Sequence, residues 1–205
     1  MTDDRLREQK KLQTKQTLAE SAFYLAKDKG VEGFIVEDVV KKAGFSRRTF
    51  ANYFSCKEEA IASAFYIGDS PLDFRVTIET EKINPVDAIH LFIKHSFSLE
   101  KLNRLYDLMY MSKENPTLRL YVNGTLHEVQ VFAKEGLNEA YGATYSKLYF
   151  HMLLGAVFGA LLPLFEEEMV IELPLAELKT KKIILFLIML IKFLSSYVKV
   201  FKLRR

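Results

Sequence analysis

A single glycine set between two short apolar stripes constrains this chain more than any other feature. Val36, Val39, Val40 and Ala43 repeat at helical spacing, Gly44 interrupts, and Phe45, Phe50 and Tyr53 carry the apolar pattern onward. The pattern predicts a helix from Val36 to Ala43, a tight turn at Gly44 where a left-handed backbone costs glycine no steric penalty, and a second short helix beyond it. Glu37 and Asp38 fall in the first turn of the leading helix and Lys41 and Lys42 in its last, the arrangement a helix dipole favours. Ser46 is placed to cap the second helix, expected to reach about Phe54, and Ser55 to cap another from Lys57 to about Ile67.

The rest of the chain reads as helical nearly throughout. Leu18, Ala19, Ala22, Phe23, Leu25 and Ala26 give one apolar face to a segment from about Leu6 to Lys29, which Gly30 ends. Asn84-Pro85 opens a helix toward Leu99, another covers about Leu102–Ser112, and Asn115-Pro116 opens one toward Ala140. Two strongly apolar helices are expected over about Ala143–Phe165 and Pro174–Phe201, while Phe74–Ile83 fits an extended or a helical segment equally. With 9 Gly and 5 Pro in 205 residues, a turn-rich β-sandwich is disfavoured, and 49% hydrophobic residues exclude a disordered chain. The turn cluster Gly68-Asp69-Ser70-Pro71 marks a boundary. The expected architecture is therefore all-α, with a three-helix head over residues 1–67, whose turn motif spans about 35–54, and a helical bundle over 68–205.

Two short helices joined by a tight turn have the spacing of a helix-turn-helix, whose second helix enters the DNA major groove. Charge placement agrees. Lys41, Lys42, Arg47, Arg48 and Lys57 occur between Val39 and Lys57 with no acid among them, against a net +3 for the whole chain. Arg47 and Arg48 open the second helix, where base-contacting residues lie, and arginine binds guanine O6 and N7 in bidentate fashion. Thr49, Asn52, Tyr53 and Lys57 offer donors suited to phosphates, which set register. Upstream, Arg5, Arg7, Lys10, Lys11 and Lys15 oppose only Glu8, a basic arm that would add salt-dependent affinity.

On these residues the stretch Leu12–Ile67, about a quarter of the chain, resembles the DNA-binding domain of the TetR family of transcriptional regulators. The resemblance is carried by Ala43-Gly44-Phe45-Ser46-Arg47-Arg48-Thr49-Phe50, then Asn52-Tyr53-Phe54 and Lys57-Glu58-Glu59-Ala60. The chain departs from the family pattern at three positions. Ile35 stands where a Thr usually precedes the first motif helix, Val40 where an Ala usually faces the second, and Ala51 where the recognition helix usually carries an aromatic. The resemblance implies phosphate contacts at Thr49, Tyr53 and Lys57, and a homodimer that a small ligand releases from its operator. The expected function is thus a ligand-responsive regulator of transcription, a repressor by preference, binding double-stranded operator DNA through Arg47, Arg48, Thr49, Asn52, Tyr53, Lys57 and Lys15.

Other features weigh less. Aromatic and Met residues of the middle region are expected as core, and among them Phe92, Tyr106, Met109, Tyr110 and Tyr149, with His95, are the candidates for lining an effector pocket. Cys56 precedes Lys57 at a helix start, which favours a thiolate, but no second cysteine exists for a disulfide. His90, His95, His127 and His151 show no ligand spacing, so no metal is expected. Neither a Gly-rich phosphate loop nor a nucleophile elbow is present, so neither an enzyme nor a cofactor is expected. The start Met1-Thr2-Asp3-Asp4 does not read as a secretory signal, giving a cytoplasmic expectation. Leu148–Phe165 and Ile183–Val200 are apolar enough to pose an alternative, a membrane-tethered DNA-binding or sensor protein with these two as a hairpin. The polar interruptions Lys192, Ser195, Ser196 and Lys199 favour instead a homodimer interface built from the last two helices.

Overall fold

In the computed structural model, residues 2–65, 83–96 and 99–165 are described, and within them the side chains of 2–5, 90, 93–96, 99 and 160–165 are not. Eight α-helices and no strand occur among the described residues, in agreement with the all-α expectation. They are α1 (Thr2–Lys29), α2 (Val36–Ala43), α3 (Arg47–Ala51), α4 (Lys57–Ser63), α5 (Pro85–Ser96), α6 (Leu99–Ser112), α7 (Pro116–Tyr141) and α8 (Lys147–Phe165). A 3-10 turn, Val31–Gly33, follows α1. The chain divides into two compact units, Met1–Asp69 with Arg104–His127, and Ser70–Asn103 with Glu128–Arg205.

In the first unit, α1 packs against α2, α4 and the 3-10 turn. The face predicted from spacing is the buried one: Leu18, Ala19 and Ala22 are fully enclosed, and Phe23, Leu25 and Ala26 nearly so. Val39, Phe50, Phe54 and Ile61 complete this core from the other elements. Burying a side chain of this size contributes roughly 1.5–3 kcal/mol, so the core holds the short helices that could not persist alone. Segment 104–127 adds Leu105, Leu108, Leu118 and Val122 to the buried set of this unit.

Helix starts follow local chemistry. Asn115 Oδ1 accepts from Leu118 N at 2.7 Å, and Asn84 Oδ1 accepts from Val86 N and Asp87 N at 3.0 Å, so both Asn-Pro pairs act as read. One cap moves. Ser55, expected to cap α4, donates its backbone N–H and its hydroxyl to Glu59 Oε2 at 2.6 Å, and Cys56 takes the cap position with no side-chain bond. The Ser55 amide and hydroxyl thus act as donors to a charged acceptor, the stronger kind of hydrogen bond, rather than as a cap that accepts from a helix amide. The start of α8 lies at Lys147 rather than Ala143, since Ser146 Oγ accepts from Tyr149 N at 3.2 Å and sets the cap there.

In the second unit, Phe92 of α5 packs against Phe132 of α7. Tyr145 stacks on Tyr149 with centroids 5.0 Å apart and meets Tyr141 edge-on, and the Tyr141 hydroxyl donates to Ile83 O at 2.6 Å. Burial first, and the neighbouring Tyr145 phenol second, push Tyr141 and Tyr149 up to about 12. Helix α8 buries Tyr149, Phe150, Leu153, Leu154 and Val157, while Leu148 and Met152 are exposed. Among the described residues no helix is long and apolar enough to cross a membrane. Leu148–Phe165 of the membrane alternative forms most of α8; Ile183–Val200, and the predicted helix Pro174–Phe201, lie outside the described residues.

Candidate nucleic-acid interface

The turn between α2 and α3 is built as a left-handed stop. Gly44 has φ 74° and ψ 29°, its N–H turns back to the Val40 carbonyl, and Phe45 N bonds the same oxygen at 3.0 Å. The reach of Gly44 into positive φ is what an alanine or larger residue would make costly, since open space alone surrounds the missing Cβ. At the start of α2, Ile35 has no side-chain acceptor, but Asp38 Oδ2 accepts from Ile35 N at 3.0 Å. This is the acidic half of a capping box, and it satisfies one terminal amide despite the absent hydroxyl. Val40 is buried at 8% exposure.

Helix α3 begins under Ser46, whose Oγ accepts from Thr49 N at 3.0 Å and lies 2.9 Å from the Thr49 hydroxyl. It is regular for five residues and ends at Ala51, short of Phe54. The chain then tightens through Tyr53 N to Phe50 O at 2.9 Å while Phe54 N keeps an i→i−4 bond to Phe50 O at 3.0 Å. Phe50 and Phe54 are buried and anchor this segment, with ring centroids 5.6 Å apart. Because both aromatic anchors point inward, the residues between and before them are held outward.

Arg47, Arg48 and Asn52 are exposed, and Thr49 and Tyr53 are half-buried. Arg47 Nη1 sits 2.6 Å from Glu37 Oε1 across the turn, with 77% of the arginine side chain exposed. One guanidinium nitrogen is thereby held while the rest of the fork stays in solvent. Lys15, on α1, is half-buried with its ammonium 5.8 Å from the centre of the Phe54 ring. Lys57 is placed differently from the others. Its Nζ donates to Val31 O at 2.7 Å and Phe34 O at 2.9 Å, lies 5.1 Å over the Phe34 ring, and leaves 16% of the side chain exposed. Two of its three N–H donors are committed to the loop that enters α2, so the ammonium fixes that loop rather than facing outward with the arginines.

The structure adds a feature that residue spacing did not bring out. Arg7, Lys10, Lys11 and Thr14 of α1 face Asn52 and Tyr53 across a cleft of about 860 Å³. The basic character of this part of α1 was legible; its position opposite the end of α3 was not, because the two lie some forty residues apart in the chain.

The effector candidates are distributed between the units. Tyr106, Met109 and Tyr110 belong to the first, and Phe92, His95 and Tyr149 to the second. Met109, Phe92 and Tyr149 are buried, Tyr106 is half-buried and Tyr110 is 64% exposed; His95 is placed only by its position in α5. In the second unit a cavity of about 490 Å³ lies between α7 and α8, lined by Lys134, Asn138, Leu148, Phe150 and His151 among others, and by none of those candidates. Cys56 is half-buried. Among the described residues, no three His, Cys, Asp or Glu side chains gather as a metal site requires. No protein-family model matches the chain, and no curated protein matches it.

Proposed function

We propose that the chain is a helix-turn-helix regulator of transcription of the TetR type, which binds double-stranded operator DNA through α3. The observation that carries this reading is the left-handed Gly44 joining α2 to a Ser46-capped α3 from which Arg47 and Arg48 project into solvent. Such an element fits the major groove, and two exposed guanidinium groups at its start suit guanine recognition. Thr49, Asn52 and Tyr53 supply neutral donors beside them.

Regulation by a small effector, with release from the operator, is the accompanying proposal. The α7–α8 cavity falls within the 300–1,000 Å³ usual for small-molecule sites, and an effector acts by preferring one spacing of paired heads. Pairing is by homodimer: Leu148 and Met152, exposed at 63% and 49%, share a face of α8 with Gly155 and Gly159 and suit a symmetric contact. The protein so read is a cytoplasmic repressor without catalytic activity.

Selection of bound fragments from random DNA at ~0.1 M salt tests the reading. Enrichment of an inverted repeat, its half-sites about 10 bp or a multiple apart, is expected. Failure to retain any fragment overturns it.

A further inference from the structure

We propose that the cleft between α1 and the end of α3 is a binding site for the phosphodiester backbone of one DNA strand, and that it takes the place of Lys57 in the head's phosphate contacts. The inference rests on the DNA-binding reading above. Along α1, Arg7, Lys10, Lys11 and Thr14 stand three, four and seven residues on from the first, the spacing of a single helical face. The opposite wall is Asn52 and Tyr53, whose amide and phenol are donors. The lining carries three cations against one acid, Glu8, and its three basic side chains are exposed.

Length fits the ligand. From Arg7 to Thr14 the helix rises about 10 Å, at 1.5 Å per residue. A DNA strand carries one charge per 3.4 Å of duplex axis, and because the strand winds obliquely its phosphates lie farther apart than this, so the ledge reaches about two or three of them. Rigidity fits as well. The basic face belongs to the same unbroken helix that is anchored through Leu18, Ala19, Ala22 and Ala26, so its backbone is fixed relative to α3 instead of trailing as a loose arm. A cation on an ordered backbone loses less freedom on binding than one on a disordered segment. Lys57, with two backbone carbonyls already bound, has little left for a phosphate.

The test compares the full chain with the variant Arg7→Ala/Lys10→Ala/Lys11→Ala on a selected operator and on a scrambled duplex, between 50 and 200 mM salt. Each phosphate contact contributes about 0.9 to the slope of log affinity against log salt. The variant is expected to lose about 1.8–2.7 of that slope, so over this range the wild type weakens ~12- to 40-fold more than the variant does. Both duplexes are affected alike, and the preference for the operator is kept. Lys29→Ala, at the far end of α1, serves as the charge control and leaves the slope unchanged, and thermal unfolding verifies that each variant is folded. An unaltered slope in the folded triple variant, with operator preference intact, overturns the cleft while leaving the DNA-binding reading standing. Loss of preference for the operator alone also overturns it, because the cleft would then read bases. If the wild type itself retains neither duplex, the DNA-binding reading fails and the cleft with it.

Discussion

Arg47 and Lys57 lie ten residues apart in the same acid-free run of cations, yet one keeps 77% of its side chain exposed and the other 16%. They belong to two regions of the head that use similar side chains in opposite ways. At the front, around α3, cations stand in solvent and the one ion pair formed there among the described residues, Arg47 with Glu37, is itself exposed. At the rear, polar groups are spent on holding the unit together. Lys57 binds the carbonyls of Val31 and Phe34, Arg104 Nη1 donates to Ala64 O at 3.1 Å, and Asn115 Nδ2 donates to Glu32 Oε1 at 2.7 Å. Lys27 pairs with Asp107 at 2.6 Å, and the Ser55 and Tyr121 hydroxyls lie 3.0 Å apart. The Lys57 bonds tie α4 to the loop before α2, and the other four contacts join residues 27–64 to segment 104–127 inside the first unit. The lesson is that counting charge along a sequence overstates what a surface offers to DNA, because buried carbonyls compete for the same ammonium groups.

The contrast breaks most directly at the front. Arg47→Ala with Arg48→Ala is expected to cost about 1–3 kcal/mol of operator discrimination for each arginine that reads a base, with the thermal midpoint nearly unchanged. Binding titrations on operator and scrambled DNA, alongside a melting curve, measure both. An equal loss on the two duplexes would mean that these arginines touch phosphates only.

The rear should respond in the reverse sense. Lys57→Met removes a charged donor from two carbonyls, and about 1.5–3 kcal/mol of stability is expected to go with it, a fall of several degrees in Tm, while the salt slope of DNA binding holds. A slope reduced by about one with an unmoved Tm would make Lys57 a phosphate contact and erase the distinction between the two regions.

Glu37→Gln has the smallest expected effect and sharpens the comparison most finely. An exposed pair contributes about 0.2–1 kcal/mol, so Tm should scarcely move. If Glu37 orients Arg47 for a base, discrimination at that base pair weakens a few-fold while affinity for scrambled DNA rises slightly through the lost negative charge. Discrimination unchanged at every position would reduce the pair to a surface contact.

Much of this was legible beforehand. The apolar face of α1, the glycine stop after α2, the Ser46 cap, and the Asn-Pro starts of α5 and α7 are all where spacing put them. Each is decided within about four residues, the range over which a helix makes its own hydrogen bonds and a cap reaches its amides. Ser55 shows where that range ends. Its hydroxyl reads as a cap, but it donates to Glu59, at the limit of that range, and lies 3.0 Å from the Tyr121 hydroxyl, 66 residues away.

Sequence by itself therefore determined that the described residues are mostly helical, where the short helices turn, and that cations crowd the turn. Only the tertiary structure decided which of those cations stay in water. Val31 and Phe34 meet Lys57 across more than twenty residues, Asn52 lines one cleft with Lys10 from about forty residues away, and no periodicity links such positions. A charge goes wherever folding leaves the best-paired oxygen, and that oxygen is supplied by whichever distant segment the apolar core has drawn alongside.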